Sequence, residues 1–239
     1  MDKFRVDVIR CTPNPQQVIY LALHQCYSEN YVFENIGKTP SEKECGEIAV
    51  KRLLAGDRGH WSCTETAYIV FNVGYFPHSV MQQATRHRLI SFSVESMRYS
   101  GQRIIDVIEG KRDLEDVFYL RPIGEYSDRQ GDKYYYSPEQ RRLHWDYCLE
   151  ACELYKDNIE SGMSEEHARG MIPFDFRQHF VMSCNLRSLL HFLDMRFKKD
   201  AQIEIQKLAD LMWNHTQEWV PEIAAWYEKN RLGKARLAP

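Results

Sequence analysis

Arg86-His87-Arg88, followed by Ser91, Ser93, Ser96, Arg98 and Ser100, forms one group of side chains able to hold anions. A guanidinium fork binds phosphate bidentately and stays charged, and serine hydroxyls add donors. If the helix that Pro77 opens continues through this segment, each residue advances by about 100° and Arg86 and Arg88 diverge by about 200°. Gln83 would then share a face with Arg86 and His87. That geometry predicts two anion-binding surfaces back to back. The apolar neighbours Leu89, Ile90, Phe92 and Val94 predict half-buried cations, which require anionic partners. A solvated basic stripe or a nucleic-acid patch is the plainer reading of the same three residues.

A second group runs from Asn185 to Arg196. Leu189, Leu190, Phe192 and Leu193 supply a core face, while Arg187 and His191 project together at i and i+4. Arg196 lies about half a turn away from Arg187, so one helix would serve two ligands or two subunits. An amphipathic helix with its arginines in water or in ion pairs is the alternative. A third group, Gly59-His60-Trp61-Ser62-Cys63-Thr64-Glu65, places a histidine, a hydroxyl and a carboxylate before a strand. It reads as an active-site loop or as a packed loop histidine.

These groups need elements to position them. Phe4–Arg10 alternates apolar and polar residues and predicts a strand, and Pro13–Tyr27 predicts a helix. Thr39-Pro40-Ser41-Glu42 reads as a capping box, and Gly56 as a stop, for a helix over 40–55. Ala67–Tyr75, rich in β-branched and aromatic residues, predicts a strand. Glu125–Tyr136 reads as a surface loop or hairpin, and Ser137-Pro138-Glu139-Gln140 as a second capping box for a helix ended by Gly162. A short helix over 164–171, then helices over Asn185–Phe197 and Ala201–Glu218, the last capped by Asp200, complete the chain. The expected fold class is α+β: a single mixed domain over 1–239, a β-sheet core and a helix-rich second half. Residues 105–160 read as an inserted loop and helix.

Composition bounds the partners. The 239 residues carry a net charge of −3, so any anion site must be built from a few clustered cations. The N-terminus shows no basic segment followed by an apolar stretch and no run is long enough to span a membrane, so the cytoplasm is the expected compartment. Seven cysteines with no CxxC pair argue against a disulfide framework and a zinc ribbon. His144, Cys148 and Cys152 share one helical face, which could be a metal edge but fits small buried side chains in a helix seam better. No metal site is expected.

Arg86-His87-Arg88, then Ser96 and Arg98-Tyr99, resembles the signature of the flavin-dependent thymidylate synthases, the ThyX family. Gly59-His60-x-Ser62-x-x-Glu65 resembles that family's upstream loop. Asn185-x-Arg187-Ser188-Leu189-x-His191-Phe192-Leu193-x-x-Arg196, with Ala201-Gln202-x-Glu204-Ile205 after it, resembles its C-terminal helices. Ala168-Arg169 before Ile172-Pro173 resembles its short Ala-Arg element. The resemblance spans about residues 55–100 and 165–210.

What the resemblance implies is methylation of dUMP to dTMP. The carbon comes from methylenetetrahydrofolate and the hydride from FAD reduced by NADPH, in a homotetramer with active sites between subunits. It implies that Ser62, Arg86, His87, Arg88, Asn185, Arg187 and His191 contact FAD. It implies that Gln83, Arg86, Ser96, Arg98, Arg169 and Arg196 hold dUMP, with Arg196 stabilising ionised N3 of the uracil, so that no cysteine nucleophile is needed. His60 matches a histidine near the flavin. The sequence departs from the pattern at Ser93 and Val94, where many members have Asn-Glu; Glu95 is the nearest carboxylate. Thr66 stands where many have a second histidine. The competing class, a nucleic-acid-binding protein using Arg86–Arg98, is disfavoured by the net charge and by the lack of a recognised nucleic-acid module.

Overall fold

In a computed structural model the described residues are 3–56, 59–128 and 130–234. Strand β1 (Arg5–Cys11) leads into helix α1 (Pro15–Cys26), whose proline sits in the first turn where no backbone donor is lost. Helix α2 (Glu42–Ala49) continues into a π-turn over Val50–Leu54, and Gly56 follows at φ 73. Its capping box is Ser41 with Glu44, two residues later than the Thr39–Glu42 box expected from sequence. The reason lies elsewhere in the fold. The Glu42 carboxylate caps α1 instead, accepting from Gln16 N (2.8 Å) and Gln17 N (2.9 Å).

A 3-10 turn over Ser62–Thr66 precedes β2 (Tyr68–Pro77), and helix α3 (His78–Ala84) follows at once. Then come β3 (Ser91–Val94), α4 (Met97–Ser100), α5 (Gln102–Ile108), α6 (Leu114–Val117) and the antiparallel hairpin β4 (Gly124–Ser127) with β5 (Lys133–Tyr136). Helix α7 (Pro138–Glu160) has the expected Ser137–Gln140 capping box and stops before Gly162 at φ 91. Helix α8 (Glu165–Ala168), a 3-10 turn over Arg169–Met171, β6 (Arg177–Asn185), α9 (Leu186–Arg196), α10 (Ile203–Trp219) and α11 (Pro221–Asn230) complete the order. Asp200 does not cap α10; its N-cap is Gln202, with no side-chain cap bond. The mixed α and β class expected from sequence is what the chain adopts. Among the described residues no helix is long and apolar enough to cross a membrane.

The main sheet has the order β1-β2-β6-β3. Contacts divide the chain into two units. The first unit comprises residues up to Arg5, Val73–Arg86 and Ser93–Phe180. Its core gathers Met97, Ile104, Phe118, Cys148, Cys152 and Tyr155, so Cys148 and Cys152 are the packed seam residues favoured from sequence. His144 is exposed and bonds the Tyr136 hydroxyl (2.8 Å).

The second unit comprises Val6–Asn72, His87–Phe92 and the chain from Val181. Here α1 packs on α2, and α9 on α10 and the 62–66 turn. Leu189, Leu190, Phe192 and Leu193 of α9 are all buried, as their spacing predicts. On α9, the buried Asp194 accepts from the Tyr227 hydroxyl and from Arg231 (2.8 Å), which ties that helix to α11 and the chain after it. Burial pushes the Asp194 carboxyl up while Arg231 and Tyr227 pull it back.

Candidate active site

Among the described residues the second unit brings His87, His191 and Arg196 together. Helix α3 ends at Ala84, so Arg86-His87-Arg88 lies in a turn, closed by Ile90 N donating to His87 O (3.1 Å). The helical divergence of Arg86 and Arg88 expected from sequence therefore does not apply. Nor are the arginines half-buried: Arg86 and Arg88 are exposed, and His87 between them is buried at 8% exposure. The chain turns before the short strand β3, and only the uncharged ring can be buried at low cost.

The His87 ring packs on Phe192 (centroids 4.8 Å) and edge-on to His191 (5.4 Å), both on α9. Arg196, at the end of α9, donates from Nε to His87 Nε2 (3.1 Å). Burial first, then the charge of Arg196 and the ring of His191, pushes the His87 pKa down to about 4. Arginine has no acceptor, so Nε2 carries no proton and Nδ1 carries it. That Nδ1 is buried with no hydrogen-bond partner.

Arg187, one turn before His191, pairs with Glu65 (2.6 Å) on the 62–66 turn, which also presents the exposed hydroxyl of Ser62. Asn185 caps α9, its side chain accepting from Ser188 N (2.8 Å). Arg187 and Arg196 thus contact different partners from one helix, as the half-turn between them predicts. His60 is exposed.

The first unit holds a second set of cations. Arg98 on α4 pairs with Glu166 on α8 (2.7 Å). The Arg98 hydrogen bond holds the Glu166 carboxyl below the usual range, with Arg98 and Arg169 adding their charges. Gln83 donates to Ser79 O (3.3 Å), and Ser96 is the N-cap of the short α4.

Behind α4, Glu95 is half-buried. It pairs with the buried Arg103 (3.3 Å) and accepts from His179 N (3.2 Å). Arg103 also donates to Arg177 O (2.7 Å), and Arg177 donates to Tyr75 O and Glu115 O. Tyr75 sits at φ 66, a strained conformation for a bulky residue, held by Arg177 and by His179 Nδ1 accepting from its N–H (3.3 Å). A Cβ on neighbouring Gly74 would lie 3.1 Å from that nitrogen, so glycine permits the close approach.

The profile of the family described as "Thymidylate synthase complementing protein" matches residues 7–222. The flavin-dependent thymidylate synthase of Haloarcula marismortui is 32% identical, covering 98% of this chain and 99% of its own. The chain belongs to the flavin-dependent thymidylate synthase family. The Halobacterium salinarum member is 31% identical, over 98% of this chain and 100% of its own. In fold, the chain resembles thymidylate synthase X of Helicobacter pylori with FAD and dUMP (TM-score 0.68, 18% identity, 92% of this chain and 99% of that one). It also resembles the UMP/dUMP methylase PolB of Streptomyces cacaoi bound with 5-Br dUMP (TM-score 0.72, 20% identity, 100% and 98%). The family match runs over residues 7–222, beyond the 55–100 and 165–210 of the resemblance read from sequence.

Of the residues that the family signature assigns, His87, His191 and Arg196 form one cluster, and Arg187 meets the turn bearing Ser62. In the other unit, Arg98 pairs with one carboxylate, which also feels the charge of Arg169. That carboxylate, Glu166, has no counterpart in the sequence reading, nor does the Glu95–Arg103 pair. Glu95, the carboxylate displaced by one position from the family pattern, is engaged within the protein. The cysteine chemistry is also legible here. Burial keeps Cys148, Cys152 and Cys184 protonated, pushing each up to about 12, and Cys45 up to about 11.

Proposed function

We propose that this chain converts dUMP to dTMP, with Arg196 as the group that activates the uracil. Membership of the family over residues 7–222 supports the reaction. The observation that carries the role of Arg196 is its bond to the buried, neutral His87, which holds the guanidinium at a defined place on α9. A fixed cation stabilises a developing anion better than a mobile one, because no reorganisation is needed as charge appears. Arg196 would stabilise ionised N3 of the uracil, raising electron density at C5 without a thiolate.

Gln83, Arg86, Ser96, Arg98 and Arg169 would hold the rest of dUMP. Exposed guanidiniums suit its phosphate, and Glu166 would give up Arg98 to that stronger anion. The donor set of the second unit fits FAD: the exposed Arg88 and Ser62 and the half-buried Arg187 can meet a pyrophosphate. Arg86, His87, Asn185 and His191 would complete that side. The unpartnered Nδ1–H of His87 is consistent with a site whose hydrogen bonding is not completed by the chain alone. Bound FAD, reduced by NADPH, supplies the hydride, and methylenetetrahydrofolate supplies the carbon.

We further propose a homotetramer with active sites between subunits. Tyr27, Tyr31, Phe33 and Ile36, exposed in the single chain, are of the kind that partner subunits cover. Of the Arg86–Arg98 segment on which the nucleic-acid reading rests, Arg98 is paired with Glu166, while Arg86 and Arg88 are exposed.

The deciding experiment is tritium release from 5-labelled dUMP with FAD, methylenetetrahydrofolate and NADPH, each omitted in turn. Release coupled to dTMP is expected only with all components. A colourless protein that takes up no FAD and binds oligonucleotides in a salt-dependent way would overturn the proposal.

A further inference from the structure

We infer that His87 is a positioning residue for Arg196: its Nε2 accepts the Arg196 Nε–H and thereby sets the plane of the guanidinium. The inference rests on the role just proposed for Arg196, but the contact itself stands on geometry. The two atoms are 3.1 Å apart, and the imidazole cannot swing away because Phe192 and His191 pack against it inside a buried site. A guanidinium is planar, so a bond at Nε fixes rotation about the Cδ–Nε bond and with it the direction of the Nη groups. Those are the groups that make bidentate contacts.

The arrangement works for one protonation state and one tautomer. The charged or titratable groups facing His87 are Arg196 and His191, both on α9, and both oppose a second positive charge. A protonated ring would offer Arg196 no acceptor and would repel it. The neutral Nδ1–H tautomer is therefore part of the device, and the apolar contact with Phe192 preserves it. His87 would act on dUMP through Arg196, in addition to any contact with flavin.

Glutamine and asparagine separate the two nitrogens. In His87→Gln the amide oxygen reaches the place of Nε2 and can accept from Arg196; in His87→Asn the amide lies at the level of Nδ1 and cannot. FAD-loaded wild type and both variants are compared for FAD content, dUMP affinity by calorimetry, and kcat/KM for dUMP. Because both variants lose any flavin contact made by Nδ1–H, kcat/KM is taken per bound FAD: His87→Asn should fall roughly 10–100-fold below His87→Gln, as expected for a misplaced catalytic group. His87→Asn equal to wild type, or His87→Gln falling as far as His87→Asn, would overturn the inference.

A measurement on the unsubstituted protein guards against variants that fail to fold. Long-range proton–nitrogen NMR of 15N-histidine-labelled holoenzyme should show His87 neutral, protonated at Nδ1, down to pH values well below its ordinary range. The Nε2–H tautomer would refute the contact. This readout needs no turnover, so an enzyme that makes no dTMP but shows the expected tautomer sinks the proposed function and leaves the contact standing.

Discussion

At the residue scale, the site depends on a charged group held by an uncharged one. Arg196→Ala should lower dTMP formation by at least about 100-fold, the scale of losing one preorganised donor to developing charge. FAD content should be unchanged, and loss of flavin with intact dUMP affinity would contradict the assignment. His87 also gives a pH dependence with a definite sign. Its folded pKa of about 4 lies below the ordinary 6.5, so between these values the unfolded chain binds more protons. Stability should therefore fall as pH is lowered from about 6.5 to about 4, and level off for this group below that. Urea unfolding of wild type across this range, compared with His87→Gln, checks it; an unchanged pH slope in the variant would assign the effect to other groups.

At the element scale, several helix ends are set by distant residues rather than by their own sequence. Glu42 begins α2 yet caps α1 through Gln16 N and Gln17 N. Glu42→Ala should cost about 1–2 kcal/mol, from the lost cap and from the lost negative charge at a helix N-terminus. The thermal midpoint should drop by roughly 2–8 °C, with kcat/KM for dUMP retained. A variant as stable as wild type would show that water replaces the carboxylate. The same dependence explains why the Thr39–Glu42 pattern does not cap α2 while the Ser137–Gln140 pattern caps α7. Both patterns look alike in one dimension, but only in the first does the fourth residue, Glu42, meet another helix, whereas Gln140 closes its box on Ser137.

Strand β6 shows the opposite case. Phe180, Met182 and Cys184 alternate inward, but the strand opens on Arg177-Gln178-His179, which disguises it. Arg177 and Gln178 are buried and His179 half-buried because Tyr75, Glu115 and Glu95 supply their partners, and no local pattern reveals that. Strand β3 and helix α11 also escaped the sequence reading. The first is four residues long, and the second follows α10 with a single residue between them.

At the scale of the whole molecule, a net charge of −3 means that any anion site is built from a few clustered cations. Association is the property that a single chain leaves to experiment. Sedimentation equilibrium of the FAD-loaded protein should give a tetramer, four times the 28.3 kDa chain. A monomer retaining full activity would rule out active sites shared between subunits.

What the sequence by itself determined is the chemistry available: the spacing of Arg86-His87-Arg88, Ser96 and Arg98, and the phase of Arg187, His191 and Arg196 along one helix. Helical phase is local, set by backbone geometry that any run of compatible residues adopts, so α9 was legible from its own residues. Burial and pairing are not local. Tertiary structure alone decided that the signature is a turn rather than a helix, that its arginines are exposed while its histidine is buried, and that this histidine meets Arg196 more than a hundred residues away. The cost of burying a charge is relieved only by partners brought in by the fold, and those partners lie outside any sequence window.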